Sequence, residues 1–129
     1  MITNYFLFVA GLVGLCFAFG HGYWVQRRIM GEVDKSAIEK QTKHSIFIFL
    51  HYTTVTLLLS AAALLIASTF LNANSAHSLA WFIAAINAGN LLVFVGVSVV
   101  KNREELKKGI PQIIFMLAWL GIVVAGIVD

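Results

Sequence analysis

Charge is what this chain has least of. Nine Lys and Arg with six Asp and Glu make only 12% of its 129 residues, while 60% are apolar. A soluble domain carries about 25% charged and roughly 45–50% apolar residues. A chain this short leaves about a third of its surface exposed on folding, so it has no interior large enough to hide the excess. An ordinary soluble domain, a disordered tail and a nucleic-acid-binding module are thereby excluded. A lone cysteine, Cys16, excludes an internal disulfide framework and any multi-cysteine metal site. What remains is a single domain over 1–129 that crosses a membrane several times.

The apolar residues fall in four continuous runs, 5–25, 46–71, 79–100 and 110–128. The shortest still makes roughly 28 Å of helix at ~1.5 Å per residue, close to the ~30 Å of a hydrocarbon core. Barrel strands alternate in polarity and these runs do not. Backbone groups in lipid must bond within their own segment, so the spacing predicts four transmembrane helices in an all-α bundle. The first run reads as a retained helix and not a signal peptide: it lacks a basic leader and is longer than a signal peptide's apolar core.

Every basic residue lies in two of the connections. Arg27, Arg28, Lys35, Lys40 and Lys43 follow the first run, and Lys101, Arg103, Lys107 and Lys108 follow the third. The tail before the first run and the link 72–78 have none. Short loops rich in Lys and Arg stay in the cytoplasm, so both basic connections are expected inside and both termini outside, on the periplasmic face of a bacterial inner membrane. Ser36 followed by Glu39 has the spacing of a capping box, which would start the second helix near Ser36. Gly109 and Pro111 have the composition of a stop followed by a helix start. Asn72, Asn74 and Ser75 predict a tight turn that makes the second and third helices antiparallel neighbours.

No Asp, Glu, Lys or Arg lies within any run. Ionisable side chains in a bilayer usually mark proton or ion pathways, so proton-coupled transport, carboxylate-based antiport and di-iron carboxylate chemistry are disfavoured. Small residues recur at every fourth position of the first run, at Ala10, Gly14, Ala18 and Gly22. Such a stripe lets a second backbone come close, whether within the bundle or on another subunit. Shorter versions stand at Ala85 and Gly89 and at Gly121 and Ala125. Thr53, Thr56 and Ser60, with Ala63 and Ala67, follow one face of the second helix, and Asn87 and Asn90 sit near the middle of the third. Together they predict a polar seam, either interhelical bonding or a ligand or ion contact.

His21 and His51 lie about 6 and 7.5 Å from the cytoplasmic ends of antiparallel runs at ~1.5 Å per residue, hence at nearly one depth. Paired imidazoles at one level could ligate b-type haem, with Gly20, Gly22 and Gly96 giving room and Arg27, Arg28 or Lys101 meeting the propionates. His44 and His77 read as surface residues, Tyr5, Tyr23, Trp24 and Trp81 as interfacial anchors, and Trp119 as packing. No catalytic residue and no further metal site is indicated.

These features favour a non-catalytic structural or accessory subunit of a larger membrane complex, with other membrane subunits or itself as partner besides the lipid. A haem-b electron carrier or anchor and a small oligomeric channel or carrier are the alternatives. A phosphatase reporter that works only outside the cytoplasm is expected to be active when fused after residue 129 and inactive when inserted after Lys35 or Lys107. Activity at either basic connection would reverse the orientation.

Overall fold

The computed structural model describes residues 3–101 and 103–129, and the regular structure among them is entirely helical. α1 (Tyr5–Trp24) runs through a π-helical turn (Val25–Ile29) into α2 (Met30–Lys35) as one rod. α3 (Lys40–Phe70), α4 (Ala73–Lys101) and α5 (Arg103–Val128) follow. Among the described residues there are thus four helices long and apolar enough to cross a membrane.

Each apolar run lies along a helical rod, except that Leu71 is the extended C-cap of α3, and each rod runs beyond its apolar run into polar sequence. Hydrogen bonding along a helix does not stop where hydrophobicity does, and Glu, Lys, Gln and Arg propagate it well. The first rod reaches Lys35 rather than residue 25, and α5 begins at Arg103 rather than 110. Two terminus assignments are corrected. Ser36 does not start the second membrane helix; with φ −72° and ψ 158° it ends α2, and its Oγ donates to the Val33 carbonyl at 2.5 Å. The N-cap of α3 is Glu39, which makes no side-chain capping bond. Gly109 and Pro111 do not divide a loop from a helix, because both lie within α5. Proline there removes one helical N–H. Glycine at 109 answers a need for space, since a Cβ would stand 2.7 Å from Phe94 Cζ on α4.

The expected turn between the second and third runs is tighter than 72–78. Asn72 Oδ1 accepts from Ser75 N and the Asn72 carbonyl from Ala76 N, both at 2.9 Å, so α4 starts at once.

The helices form a closed ring in which α1 packs on α3 and α5, and α4 packs on α3 and α5. Neighbours run antiparallel. Along α1, Gly11, Gly14 and Gly22 face Leu65, Ala61 and Thr54 of α3 in descending order, while Leu7, Gly14 and Phe17 face Gly126, Trp119 and Phe115 of α5. Leu7, Leu64, Trp119 and Val123 are the large side chains at the centre, with Ala10, Ala67 and Ala80 filling between them.

At one level three helices converge. A Cβ on Gly14 would meet Ala61 Cβ of α3 at 3.0 Å and Trp119 Nε1 of α5 at 3.2 Å. Trp119, 2% exposed, donates its indole N–H to the Ala10 carbonyl at 2.8 Å. At the end away from the basic connections the segment before α1 ties the bundle shut. Thr3 N and Oγ1 both donate to the Ser68 carbonyl at 2.8 Å. Asn4 Oδ1 caps α1 by accepting from Leu7 N at 2.9 Å, and its Nδ2 donates to the Gly126 carbonyl of α5 at 2.7 Å.

Trp119→Phe is expected to cost about 1–2 kcal/mol, one buried hydrogen bond plus the lost volume. Gly14→Val should cost more, because two neighbouring helices must move. Gly20→Ala, at a position where a Cβ meets nothing within 4 Å, should leave stability unchanged or raise it slightly. Thermal unfolding in detergent measures all three.

Candidate functional site

The residues with most chemistry gather between α1 and α3 toward the basic end. His21 lies one helical turn before the π turn, and its Nδ1 is 3.0 Å from Thr54 Oγ1. The Thr54 hydroxyl donates to the Leu50 carbonyl at 3.4 Å, which leaves its lone pairs to accept a hydrogen bond from His21 Nδ1–H. His51 lies one turn before Thr54 on the same face of α3. Its Nε2 donates to Gln26 Oε1 at 3.2 Å. The Phe47 ring meets His51 edge-on at 4.3 Å, and Phe17, stacked at 4.5 Å on Phe115, lies 6.3 Å from His21.

This cluster depends on the π turn. A π turn holds one more residue than the α-helix it interrupts. Gln26 is its second residue and reaches His51 across the helix–helix contact. Just above it, α1 and α3 come within van der Waals distance, since a Cβ on Gly22 would stand 3.0 Å from Thr54 Cγ2.

That contact bears on haem. A macrocycle held by both histidines needs an open slot between their helices and a free nitrogen on each ring aimed at the iron. Thr54 and Gln26 each engage one nitrogen of a ring and leave the other free, but Gly22 against Thr54 closes the slot, and His21 level with Thr54 and His51 level with Gln26 stand about one turn apart in depth. The neighbouring groove, about 430 Å³, opens on the α1–α5 side and is lined by Leu12, Val13, Cys16, Phe17, Gly20 and Phe115, without either histidine. His21 and His51 as arranged do not fit a shared haem. Among the further residues considered for it, Gly20 and Gly96 border open space, Arg27 lies 5.6 Å from the Tyr23 ring centre, Arg28 is exposed, and the Lys101 side chain lies outside the described residues.

The small-residue stripe faces inward. Ala10 and Ala18 are buried in the bundle, Gly14 meets Ala61 and Trp119, and Gly22 meets Thr54. Ala10, Gly14, Ala18 and Gly22 therefore serve packing within this chain, where α3 and α5 occupy the space a partner would need.

The polar residues of the second and third runs divide. Asn87, fully buried, donates from Nδ2 to Ser60 Oγ at 3.1 Å and to the Ile83 carbonyl at 2.9 Å, joining α4 to α3. Its Oδ1 is buried without a partner. Thr53 and Thr56 donate to carbonyls of their own helix, those of Phe49 and Tyr52. Asn90 does not join them. It is exposed on the outer side of α4, and no hydrogen bond from its amide is found among the described residues. Three residues turn a helix by about 300°, enough to carry Asn90 off the face that buries Asn87.

His44 is exposed, and His77 is half-buried beside Asn4, Asn72 and Asp129 in a polar hollow of about 240 Å³ at the opposite end of the bundle. Sequence reasoning passed over Thr54 and Gln26. The three-residue interval from His51 to Thr54 marks a shared face of α3 and could have pointed to Thr54. Gln26 carried no such signal, because its placement depends on the π turn. Comparison with protein-family models, curated proteins and solved structures finds no match to this chain.

Protein purified from haem-replete cells is expected to show no Soret band. A band lost in both His21→Ala and His51→Ala would show that the helices part to admit the macrocycle.

Proposed function

We propose that the chain is a non-catalytic structural or accessory subunit that works inside a membrane assembly. In this reading it sits in a bacterial inner membrane with both termini on the periplasmic side and the basic connections in the cytoplasm. One observation carries the proposal: among the described residues several polar side chains bond between helices and hold this bundle together, while one mid-span amide on α4 is left outside it. Trp119 is committed to Ala10, Asn87 to Ser60, His21 to Thr54 and Asn4 to Gly126. Asn90 alone of the mid-span amides faces outward and unbonded. An amide left in hydrocarbon is costly, and interhelical bonding is its usual remedy.

The rest of the outer surface suits lipid. Phe49, Phe70 and Leu92 are among the side chains most exposed on it. The polar contact between Ser60 and Asn87 is direct and buried, which supports glue in preference to a conduit. Little of the chain lies outside the rods: between α2 and α3 only residues 36–39 are non-helical.

Gentle extraction from the native membrane followed by native mass measurement is expected to give a particle heavier than the 14.2 kDa chain and containing other polypeptides. A lone monomer would overturn the proposal.

A further inference from the structure

We propose that α4 pairs with α4 of a second copy of this chain, through a reciprocal hydrogen bond between the two Asn90 amides. This inference names the partner for the outward amide and rests on the reading of the chain as a membrane-embedded assembly subunit.

Depth is the first reason to choose a second copy. Asn90 stands about ten residues from either end of the apolar run 79–100, roughly 15 Å from each edge at ~1.5 Å per residue. No water is present at that depth to satisfy an amide. A carbonyl of its own helix can take an Asn90 N–H, as that of Ile83 does for Asn87, but the interior N–H groups of a helix are already bonded, so the amide oxygen is satisfied only by a partner that brings a donor to the middle of the bilayer. A second copy inserted in the same direction does so necessarily, because a two-fold axis along the membrane normal places both Asn90 side chains at one level.

Chemistry is the second reason. A primary amide carries a carbonyl acceptor and two N–H donors, so it is its own complement. Each Asn90 can donate to the other and accept from it. No charged residue lies in α4 between Ala73 and Val100 to ask for an opposite charge instead.

The third reason is the face on which the amide stands. Ile86, Val93 and Val97 lie four, three and seven residues from Asn90, so they share its side of α4, and all three are exposed. Two α4 helices meeting along this side set the Asn90 amides opposite each other among β-branched side chains, a setting in which a single asparagine fixes helix pairing.

The test uses the full-length protein reconstituted in bilayers, with donor and acceptor labels on separate samples and energy transfer followed as lipid dilutes the protein. Wild type should show a dimer. Asn90→Leu should weaken association roughly tenfold or more, as two interhelical amide bonds imply, while Asn90→Gln, which keeps the amide, should retain most of it. Thermal unfolding should show every variant folded. In a Cys16→Ala background, Val93→Cys should cross-link to a second copy under mild oxidation. A monomeric wild type, or an Asn90→Leu protein that associates like wild type, overturns the proposal. The native particle separates the two readings. One copy of this chain among other subunits sinks the pairing and keeps the subunit role; a particle made only of this chain keeps the pairing and sinks the larger complex.

Discussion

The indole N–H of Trp119, bonded to the Ala10 carbonyl at 2.8 Å, joins the two ends of the chain. In hydrocarbon a tryptophan can be central only if its N–H finds an acceptor, and a backbone carbonyl is within reach only if the facing helix lacks bulk there. Ala10, Gly11 and Gly14 supply that absence on α1, and Ala61 supplies it on α3. The ring closure of α1, α3 and α5 follows from this junction, and α4 completes the circuit by packing on α3 and α5. The apolar shell excludes water, but apolar contact in lipid supplies little preference for one helix neighbour over another. Close approach and a few directional bonds supply it.

Those bonds occur at separate levels. Thr3 and Asn4 join α1 to α3 and α5 at one end. Trp119 with Ala10 and Asn87 with Ser60 act deeper in the bundle. His21 with Thr54 and Gln26 with His51 act toward the basic end. The last pair of bonds is the least ordinary, because it depends on a π turn in which the helix ladder is rearranged. The imidazoles do not share the level expected of them: His21 is level with Thr54 and His51 with Gln26, so His51 stands about one turn nearer the basic end, and each is engaged by a neighbouring side chain.

Much of this was legible from composition and spacing. Uninterrupted apolar runs could only be helices, and the short polar link at Asn72 could only be a tight turn. Helix ends were less legible where a local motif reads in two directions. Ser36 bonds backward to Val33 as readily as forward toward Glu39, and Pro111 with Gly109 marks a break only if nothing upstream favours helix, which Arg103 through Lys108 do. Site residues were legible as types and not as pairs. The spacing of Asn87 and Asn90 placed both near mid-span but could not say that one turns to α3 and the other away. Gln26, the partner of His51, followed from the π turn, which leaves no periodic trace in the sequence, whereas Thr54 shares a face with His51 at a three-residue interval.

The first hairpin also outreaches its apolar cores in a way that changes what the basic end is. α2 and the opening turns of α3 carry Glu32, Lys35, Lys40 and Lys43 on helical backbone, and Lys43 Nζ grips the Asp34 carbonyl at 2.8 Å across the short link. These charges are therefore mounted on a stiff ledge instead of a floppy tether. Their mutual spacing is set by two rods and the link between them, so the charge pattern at this end has a shape as well as a sign.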